Sequence, residues 1–269
     1  MQFVKDLSNL TQLRVLRTGI MSINDIIESD LLQSIGKLRR IQRPSLHIFG
    51  GKPQSSTWCA QLVLPRGLRY LNFSALHMEI MPPCINPSHL VNLSDLNLLA
   101  NGMDRQDLES LSRLPQLRHL WLQTMSTVTL PNVASNGCFQ MLRSCCFPWS
   151  TVRFMLNGDS SVSFTIWNGR DDVDFVSSRK EEDEERVAAP AVMPNLRELE
   201  FNVIVRALVD YRGCCDLLGL EYLISLQKIT AKFCCYDTAK EVAEEEKAAL
   251  RRVVEAHPNH PILKIKYSI

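Results

Sequence analysis

The segment Asn157–Ser160 has the residue types of a nucleophilic site, because its sequence Asn-Gly-Asp-Ser places a serine beside an aspartate. A serine attacks a substrate only when a histidine takes its proton and a carboxylate orients that histidine. A hydrolase built on a Gly-Asp-Ser block needs an Asp-x-x-His pair near the C-terminus, and neither His257 nor His260 has an aspartate three residues before it. We therefore interpret the segment as the turn of a β-hairpin and predict that it holds no catalytic residue.

The histidines and cysteines also lack the spacing that metal sites require. His257 and His260 are separated by a proline and have no glutamate at metalloprotease spacing, so a capping turn is the favoured interpretation. The nine cysteines include no Cys-x-x-Cys pair. Because adjacent cysteines are poor disulfide partners, we predict reduced thiols and no metal ion. Six of the cysteines form the adjacent pairs Cys145-Cys146, Cys214-Cys215 and Cys234-Cys235.

The segment Gly50–Pro53 does not fit a phosphate-binding loop. It lacks the first glycine at the required distance, and a proline stands where a hydroxyl residue should follow Lys52. That proline also removes a backbone N–H that a phosphate cradle needs. We predict that this chain binds no nucleotide and no other cofactor.

Leucine spacing is the dominant pattern, and about one residue in seven is leucine. A motif of the form Leu-x-x-Leu-x-apolar recurs at intervals of 25, 30, 25, 24, 25, 54 and 30 residues. Most intervals lie near the roughly 20–29 residues of a leucine-rich repeat, and the longest equals about two repeats. The motifs begin at Leu13, Leu38, Leu68, Leu93, Leu117, Leu142, Leu196 and Leu226.

Leucines three residues apart precede several motifs, as in Leu108–Leu117. This spacing predicts that each repeat consists of a short helix or 3₁₀-like turn followed by a strand. Such units bury their leucines by stacking. We therefore predict an α/β solenoid, a leucine-rich-repeat horseshoe with a parallel β-sheet on its concave face and an irregular or 3₁₀ and short-helical convex side. In the third unit, alternation directs Leu71 and Phe73 into the core and Tyr70 and Asn72 to the concave surface.

An arginine follows the first leucine in six of the eight motifs. Because stacked strands lie about 4.8 Å apart, these side chains predict a basic column along one edge of the concave face. Arginine binds carboxylates bidentately and suits protein interfaces. Alternatively, each arginine pairs with a local acidic residue or packs by its stem. The predicted column is Arg14, Arg39, Arg69, Arg118, Arg143 and Arg197, with Ser94 and Gln227 in the other two units.

Three further side chains at outward strand positions are candidates for binding a protein: Tyr70, His119 and Trp121. Exposed aromatic residues often anchor interfaces, and Trp121 is the best single candidate. The alternative for Trp121 is that it packs beneath a neighbouring loop.

The composition describes a folded chain without a strong overall charge. Its 269 residues are 45% hydrophobic and 22% charged, and 30 basic against 29 acidic residues leave a net charge of +1. Nothing global therefore favours nucleic acid or an anionic membrane. No apolar run is long enough to span a bilayer, and Lys5 and Asp6 interrupt the region where a signal peptide would be apolar. We predict a cytoplasmic protein with no membrane span.

Two segments break the repeat. Alternating apolar residues predict a β-hairpin from Thr151–Leu156 and Ser161–Trp167, and a charged loop follows it. Val173 and Phe175 offer an alternative, a degenerate repeat strand that would divide the 54-residue interval. We predict one leucine-rich-repeat domain over residues 1–269, made of regular repeats at 1–150, an insertion at 151–192, last repeats at 193–236 and a helix-strand cap at 237–269.

The two ends of the chain differ in character. Ala239–Glu255 has the apolar spacing of a helix, and the strand predicted after Pro261 completes a cap of the kind that solenoids need. At the other end, Leu7 already belongs to a repeat. We therefore expect that more protein precedes Met1 or that another chain covers the first repeat.

Several segments resemble the C-terminal end of plant nucleotide-binding leucine-rich-repeat disease-resistance receptors, particularly those of grasses. The most specific are Leu217–Ile229, Ala248–Arg252 and His257–Pro261, and Met193–Phe201 and Phe147–Trp149 are similar to the same group. In such receptors the repeats follow a coiled-coil domain and a nucleotide-binding switch domain. They contribute to effector recognition and hold the switch off.

The resemblance implies a non-enzymatic protein-interaction module of plant innate immunity and disease resistance. Its partners would be its own or a partner nucleotide-binding domain, a pathogen effector or a guarded host protein, and not nucleic acid. ATP or ADP would then belong to a nucleotide-binding domain outside this chain. The alternative is a stand-alone repeat adaptor or scaffold of the ubiquitin-ligase type. Such adaptors carry an F-box before the repeats, whereas here the repeats begin by Leu7.

Overall fold

The computed structural model describes residues 6–20, 30, 34–48, 62–78, 80–124, 127–130, 138–148, 151–155, 163–166, 193–204, 220–234 and 240–268. The chain divides into a first unit, Met1–Ser126, and a second unit, Thr127–Ile269. Within the described ranges, no helix is both long enough and apolar enough to cross a membrane.

The first unit is built on five parallel strands that pair in chain order. Each repeat contributes one strand, because the chain returns to the same end of the sheet before the next strand begins. This stacking confirms the predicted α/β solenoid of leucine-rich repeats. The strands are β1 (Val15–Ile20), β2 (Arg43–Ile48), β3 (Tyr70–Met78), β4 (Asp95–Ala100) and β5 (His119–Thr124).

Tight turns explain why leucines recur three residues apart before each strand. The backbone N–H of Leu93 donates to the carbonyl of Leu90 at 3.1 Å, and that of Leu117 donates to Leu114 at 3.3 Å. Hydrogen bonds between residues three apart define a 3₁₀-type turn, in which side chains at this spacing share one side. The leucines therefore enter the core together, as the spacing predicts.

The strand side chains alternate between core and solvent as predicted. The inward positions of β3, β4 and β5 are at most 2% exposed, and burying one such side chain stabilises the fold by roughly 1.5–3 kcal/mol. They are Leu71, Phe73, Leu96, Leu98, Leu120 and Leu122. Asn72 lies at an outward position of β3, but it is only 8% exposed and is not available for recognition. The prediction that it contributes to the concave surface was therefore wrong.

The second repeat begins at Ile41 and not at Leu38. Strand pairing places Val15 beside Arg43, which aligns Leu13 with Ile41. The backbone N–H groups of Gln42 and Arg43 both donate to the carbonyl of Arg14, as this alignment requires. The motif predicted from the sequence was placed one turn too early. Leu38 and Ile41 are three residues apart and both buried, so each fits the leucine position of the motif. The first two intervals are therefore 28 and 27 residues.

The first unit also contains a helix, α1 (Arg105–Ser112), which connects β4 to β5. Asp104 caps it by accepting a hydrogen bond from the N–H of Asp107, whose carboxylate in turn accepts from the N–H of Asp104. This reciprocal capping box satisfies backbone donors that the first helical turn leaves free. Leu108 and Leu111 are buried and attach the helix to the core.

The second unit contains two sheets. In the larger one four parallel strands pair in the order β7, β10, β11, β12. In the smaller one β8 pairs parallel to β6 and antiparallel to β9. The strands are β6 (Thr127–Leu130), β7 (Ser144–Phe147), β8 (Thr151–Met155), β9 (Ser163–Ile166), β10 (Glu198–Ile204), β11 (Lys228–Cys234) and β12 (Ile262–Ser268).

The 54-residue interval contains an insertion and no repeat strand of the larger sheet. Ser144 pairs with Glu198 and Phe147 with Phe201, so β7 and β10 are direct neighbours. This pairing leaves no room for an intervening repeat strand between β7 and β10. Val173, Phe175 and the Asn157–Ser160 turn lie outside the described residues. The antiparallel pairing of β8 with β9 agrees with the predicted hairpin strands.

Helix α2 (Lys240–Ala256) and β12 follow the last repeat where a helix and a strand were predicted. Ala243, Leu250 and Val254 are buried on α2, while β12 pairs along the whole of β11. Lys247 is also buried, and its Nζ donates to Glu244 Oε1 at 2.6 Å and to the Tyr267 hydroxyl at 2.9 Å. This buried ammonium ties the helix to the final strand.

Candidate protein-interaction surface

The outward side chains of the first unit form two rows across the strands. Pairing places Tyr70 beside Asp95 and Asp95 beside His119, while Asn97 lies between Asn72 and Trp121. Parallel strands carry equivalent side chains about 4.8 Å apart. The three predicted candidates, Tyr70, His119 and Trp121, therefore lie within three neighbouring strands on one face.

Polar contacts hold this patch in place. Asn97 Nδ2 donates to the Tyr70 hydroxyl at 3.4 Å, and the Ser94 hydroxyl lies 2.5 Å from Asp95 Oδ2 and 3.0 Å from the carbonyl of Arg69. His119 is exposed, whereas Tyr70 and Trp121 are half-buried. A half-buried aromatic side chain keeps part of its ring for a partner and loses little freedom on binding.

A row of polar residues precedes the strands at one edge of the face. In the first unit it runs through Arg14, Gln42, Arg69, Ser94 and Arg118, which we call the edge row. The carbonyls of the first four of these residues each accept two hydrogen bonds from the next repeat at 2.8–3.1 Å, so the backbone fixes the spacing. Arg39 was predicted to belong to this row and does not. It lies three residues before Gln42, in the turn that leads to β2.

The arginines of the edge row form no ion pair with a described residue. Among the described residues, no carboxylate lies within salt-bridge distance of Arg14, Arg69 or Arg118. Arg14 and Arg69 are exposed, and the half-buried Arg118 has a buried Nε without a hydrogen-bond partner. Local ion pairing, the alternative explanation of these arginines, is not what this part of the chain displays.

The second unit continues the same repeat position with Arg143, Arg197 and Gln227. The N–H of Arg197 donates to the carbonyl of Arg143 at 2.8 Å, and that of Gln227 donates to Arg197 at 2.9 Å. Both arginines are exposed. Pairing then places two glutamates and four lysines on the outward positions of β10, β11 and β12, namely Glu198, Glu200, Lys228, Lys232, Lys264 and Lys266. Sequence reasoning missed these six residues, although their every-other-residue spacing was a usable signal.

The two glutamates are paired with lysines of the next strand. Lys228 Nζ lies 3.0 Å from Glu198 Oε2, and Lys232 forms a close ion pair with Glu200. Burial disfavours the charged form of Glu200, but the hydrogen bond and charge of Lys232 outweigh it and hold the pKa of Glu200 below its usual value. The Glu200 carboxylate therefore remains ionised at neutral pH.

The described cysteines are free thiols. Cys145 is buried while Cys146 is half-buried, because adjacent residues of a strand face opposite sides of the sheet. Burial and the nearby charge of Glu200 raise the pKa of the Cys146 thiol to about 12. Because the thiolate is the reactive form, this thiol is a poor nucleophile. No cluster of three or more metal-ligating side chains occurs in the described ranges.

His257 belongs to the turn that closes the last repeat. Its Nε2 lies 3.2 Å from the carbonyl of Leu220, and its Nδ1 accepts from the N–H of Asn259 at 3.1 Å. One ring nitrogen donates and the other accepts, which assigns the neutral tautomer. Burial lowers the pKa of His257, and its backbone hydrogen bonds oppose this only in part. The histidine serves the capping turn that its spacing predicts.

Comparison of the sequence with known proteins identifies one family. A family model described as a leucine-rich repeat region matches residues 1–263. The chain has no significant match among curated proteins.

Proposed function

The chain belongs to the leucine-rich repeat family, whose fold is a protein-interaction module, and we propose that it is the recognition and restraint part of a plant intracellular immune receptor. In this proposal it is cytoplasmic, contributes to recognition of a pathogen effector and holds a nucleotide-binding switch domain inactive. It performs these tasks by protein contact and is not an enzyme.

One observation carries the proposal: the edge row presents arginines that no described carboxylate neutralises, beside aromatic side chains on the same face. Arg69 immediately precedes Tyr70, and Arg118 immediately precedes His119. Arginine and aromatic residues contribute a large share of the binding energy in protein interfaces. A site with this composition suits a protein surface that carries carboxylates.

The receptor assignment rests on the resemblance of the C-terminal segments. Two of those segments contact each other here, since His257 bonds to Leu220 and Asn259 Nδ2 donates to the carbonyl of Ile224. The resembling residues thus work together to close the last repeat, which supports their being inherited as a block. Because the chain has no phosphate loop, nucleotide switching would reside in a separate domain.

The test measures association with the nucleotide-binding domain of the same receptor by co-immunoprecipitation. We expect the triple variant Arg14→Glu/Arg69→Glu/Arg118→Glu to capture about tenfold less of that domain, because each reversal turns attraction into repulsion. The matched control is Lys37→Glu/Arg66→Glu/Arg113→Glu. It makes the same change of charge at exposed positions before β2, before β3 and at the end of α1.

Equal capture by the triple variant and the wild-type chain would remove the edge row from the docking surface. Capture of a ubiquitin-ligase scaffold in place of the switch domain would favour the adaptor function. For the enzymatic alternative, labelling by a serine-reactive probe that is lost in Ser160→Ala would contradict the proposal.

A further inference from the structure

The outward face of the larger sheet in the second unit carries a concentrated positive charge. We call it the basic face and define it by Arg143, Arg197, Lys228, Lys232, Lys264 and Lys266, together with the two carboxylates Glu198 and Glu200. The strand register places these residues on one side, because Glu198 pairs with Lys228 and Lys232 pairs with Lys266. The chain as a whole is nearly neutral, so this charge is local.

Neutralisation within the face is incomplete. Lys228 and Lys232 are paired with Glu198 and Glu200, respectively. Lys264 and Lys266 are exposed on β12, and no carboxylate of the described residues lies within salt-bridge distance of them. Arg143 and Arg197 are exposed and equally unpaired within those ranges. Four cationic groups therefore remain available to an anionic partner.

We infer that the basic face binds an extended acidic segment of a partner protein. This inference deepens the proposed function, on which it rests, by naming the chemistry of one bound partner. Lys264 and Lys266 are two residues apart on a strand, about 6.8 Å along its axis. An extended segment with carboxylates on alternate residues has the same spacing, so each carboxylate meets one ammonium group.

The same face is poorly suited to nucleic acid. Proteins that bind single strands stack bases on aromatic side chains, and none of the outward positions on β7, β10, β11 and β12 is aromatic. Glu198 and Glu200 lie among the cations and would repel a continuous phosphate backbone. In a protein partner, which can carry both signs of charge, the two glutamates add selectivity.

The lysines of β12 also have a purely protective explanation. β12 is the last strand of its sheet in the described part of the chain, and lysines on an outer strand hinder pairing with other chains. Under that explanation their removal would promote self-association without changing the affinity for acidic peptides. The two explanations therefore differ in what they predict.

The test titrates a fluorescein-labelled peptide of alternating glutamate and serine against the full chain and follows fluorescence anisotropy. We expect binding that weakens as salt is added, because the contacts are between exposed charges. Lys264→Glu/Lys266→Glu should weaken binding at least about tenfold. The control Lys37→Glu/Arg66→Glu makes the same change of charge at exposed positions before β2 and β3. It should bind like the wild-type chain.

A thermal melt followed by circular dichroism checks that each variant is folded. If the charge-reversal variant does not fold, Lys264→Gln/Lys266→Gln takes its place in the binding measurement. Absence of peptide binding, or equal affinity in the lysine variants and the control, would overturn the inference. Self-association with unchanged affinity would leave only the protective role. Tighter binding of single-stranded oligothymidylate that the same substitutions abolish would make the face a nucleic-acid site.

Failure here is separable from failure of the proposed function. A chain that captures the nucleotide-binding domain through the edge row but ignores the acidic peptide contradicts only the inference. A chain that binds the peptide through Lys264 and Lys266 but captures no receptor domain contradicts the proposed function.

Discussion

His257 occupies a position that apolar residues hold in other repeats. It lies three residues before the end of its turn, as Leu223 does in the preceding repeat, and is 2% exposed. A buried histidine is tolerated because both ring nitrogens have partners, Leu220 and Asn259. Protonation would place a hydrogen on Nδ1, which now accepts the hydrogen bond from Asn259, and would bury a positive charge.

The stability of the chain should therefore depend on this histidine in mild acid. The folded pKa of His257 lies below its usual value of 6.5, so the unfolded chain binds the proton more readily. The free energy of unfolding should fall as the pH drops below about 6.5, by at most about 1.4 kcal/mol per pH unit for this one group. Urea unfolding at about pH 7.5 and about pH 5 measures the change.

The comparison variant is His257→Leu, which restores the apolar residue of earlier repeats and cannot titrate. It should lose the part of the pH dependence that His257 contributes, whatever its own stability. An identical pH dependence in both proteins would show that other groups are responsible.

At the scale of elements, one hydrogen bond recurs between consecutive repeats. The donor is the side chain of the residue immediately before the first residue of a motif. The acceptor is a backbone carbonyl in the preceding repeat, two residues before the first residue of that repeat's motif. The observed pairs are Asn92 with Arg66 at 3.1 Å, Asn195 with Gln140 at 2.7 Å, Ser225 with Pro194 at 2.5 Å, and Asn259 with Ile224. We expect these bonds to help fix the register of the stacked turns.

Asn195 tests the value of this bond. We expect Asn195→Ala to lower the free energy of unfolding by about 0.5–1.5 kcal/mol, because a carbonyl loses its donor. Asn195→Asp should cost at least as much, since its carboxylate has the same shape but cannot donate to an oxygen. Guanidinium unfolding of the two variants supplies the measurement.

Gln140→Ala provides the control for Asn195. It changes an exposed side chain and keeps the carbonyl that Asn195 uses. If Asn195→Asp were as stable as the wild-type chain, packing and not hydrogen bonding would hold these two repeats in register.

At the scale of the whole molecule, the last repeat needs an element that covers its apolar side. Phe233 and Ala231 of β11 are buried, and α2 and β12 follow that strand. In a solenoid each unit is stabilised by its neighbours, so the last apolar layer requires a cover. The cover contributes buried apolar groups of its own at Ala243, Leu250 and Val254.

Removing residues 237–269 should destabilise the second unit by more than about 3 kcal/mol, because two or more buried apolar side chains are lost and β11 is exposed. We expect a lower unfolding temperature and binding of a dye that detects apolar surface. Leu250→Ala within the full chain is the matched point variant and should cost about 2–5 kcal/mol. An unchanged melting temperature after the truncation would contradict the assignment of this segment as a cap.

The fold class follows from the sequence because burial of leucine at a fixed period has few solutions. Leucines three residues apart require tight turns, and alternation in β3 requires Leu71 and Phe73 to face inward, as they do. The edge-row arginines and outward aromatic residues could be placed for the same reason. Their role in binding remains a prediction.

Long-range pairing was decided by the tertiary structure. Leu38 and Ile41 are both apolar and one turn apart, so only strand pairing could select Ile41 and exclude Arg39 from the edge row. In the same way, the contact of β7 with β10 decides between the predicted insertion and the alternative of a further repeat strand in the 54-residue interval. The basic face also depends on register, because Glu200, Lys232 and Lys266 come together only when three strands are aligned. A local pattern specifies which side of a strand a residue occupies, whereas its neighbours on other strands are set by the packing of the whole sheet.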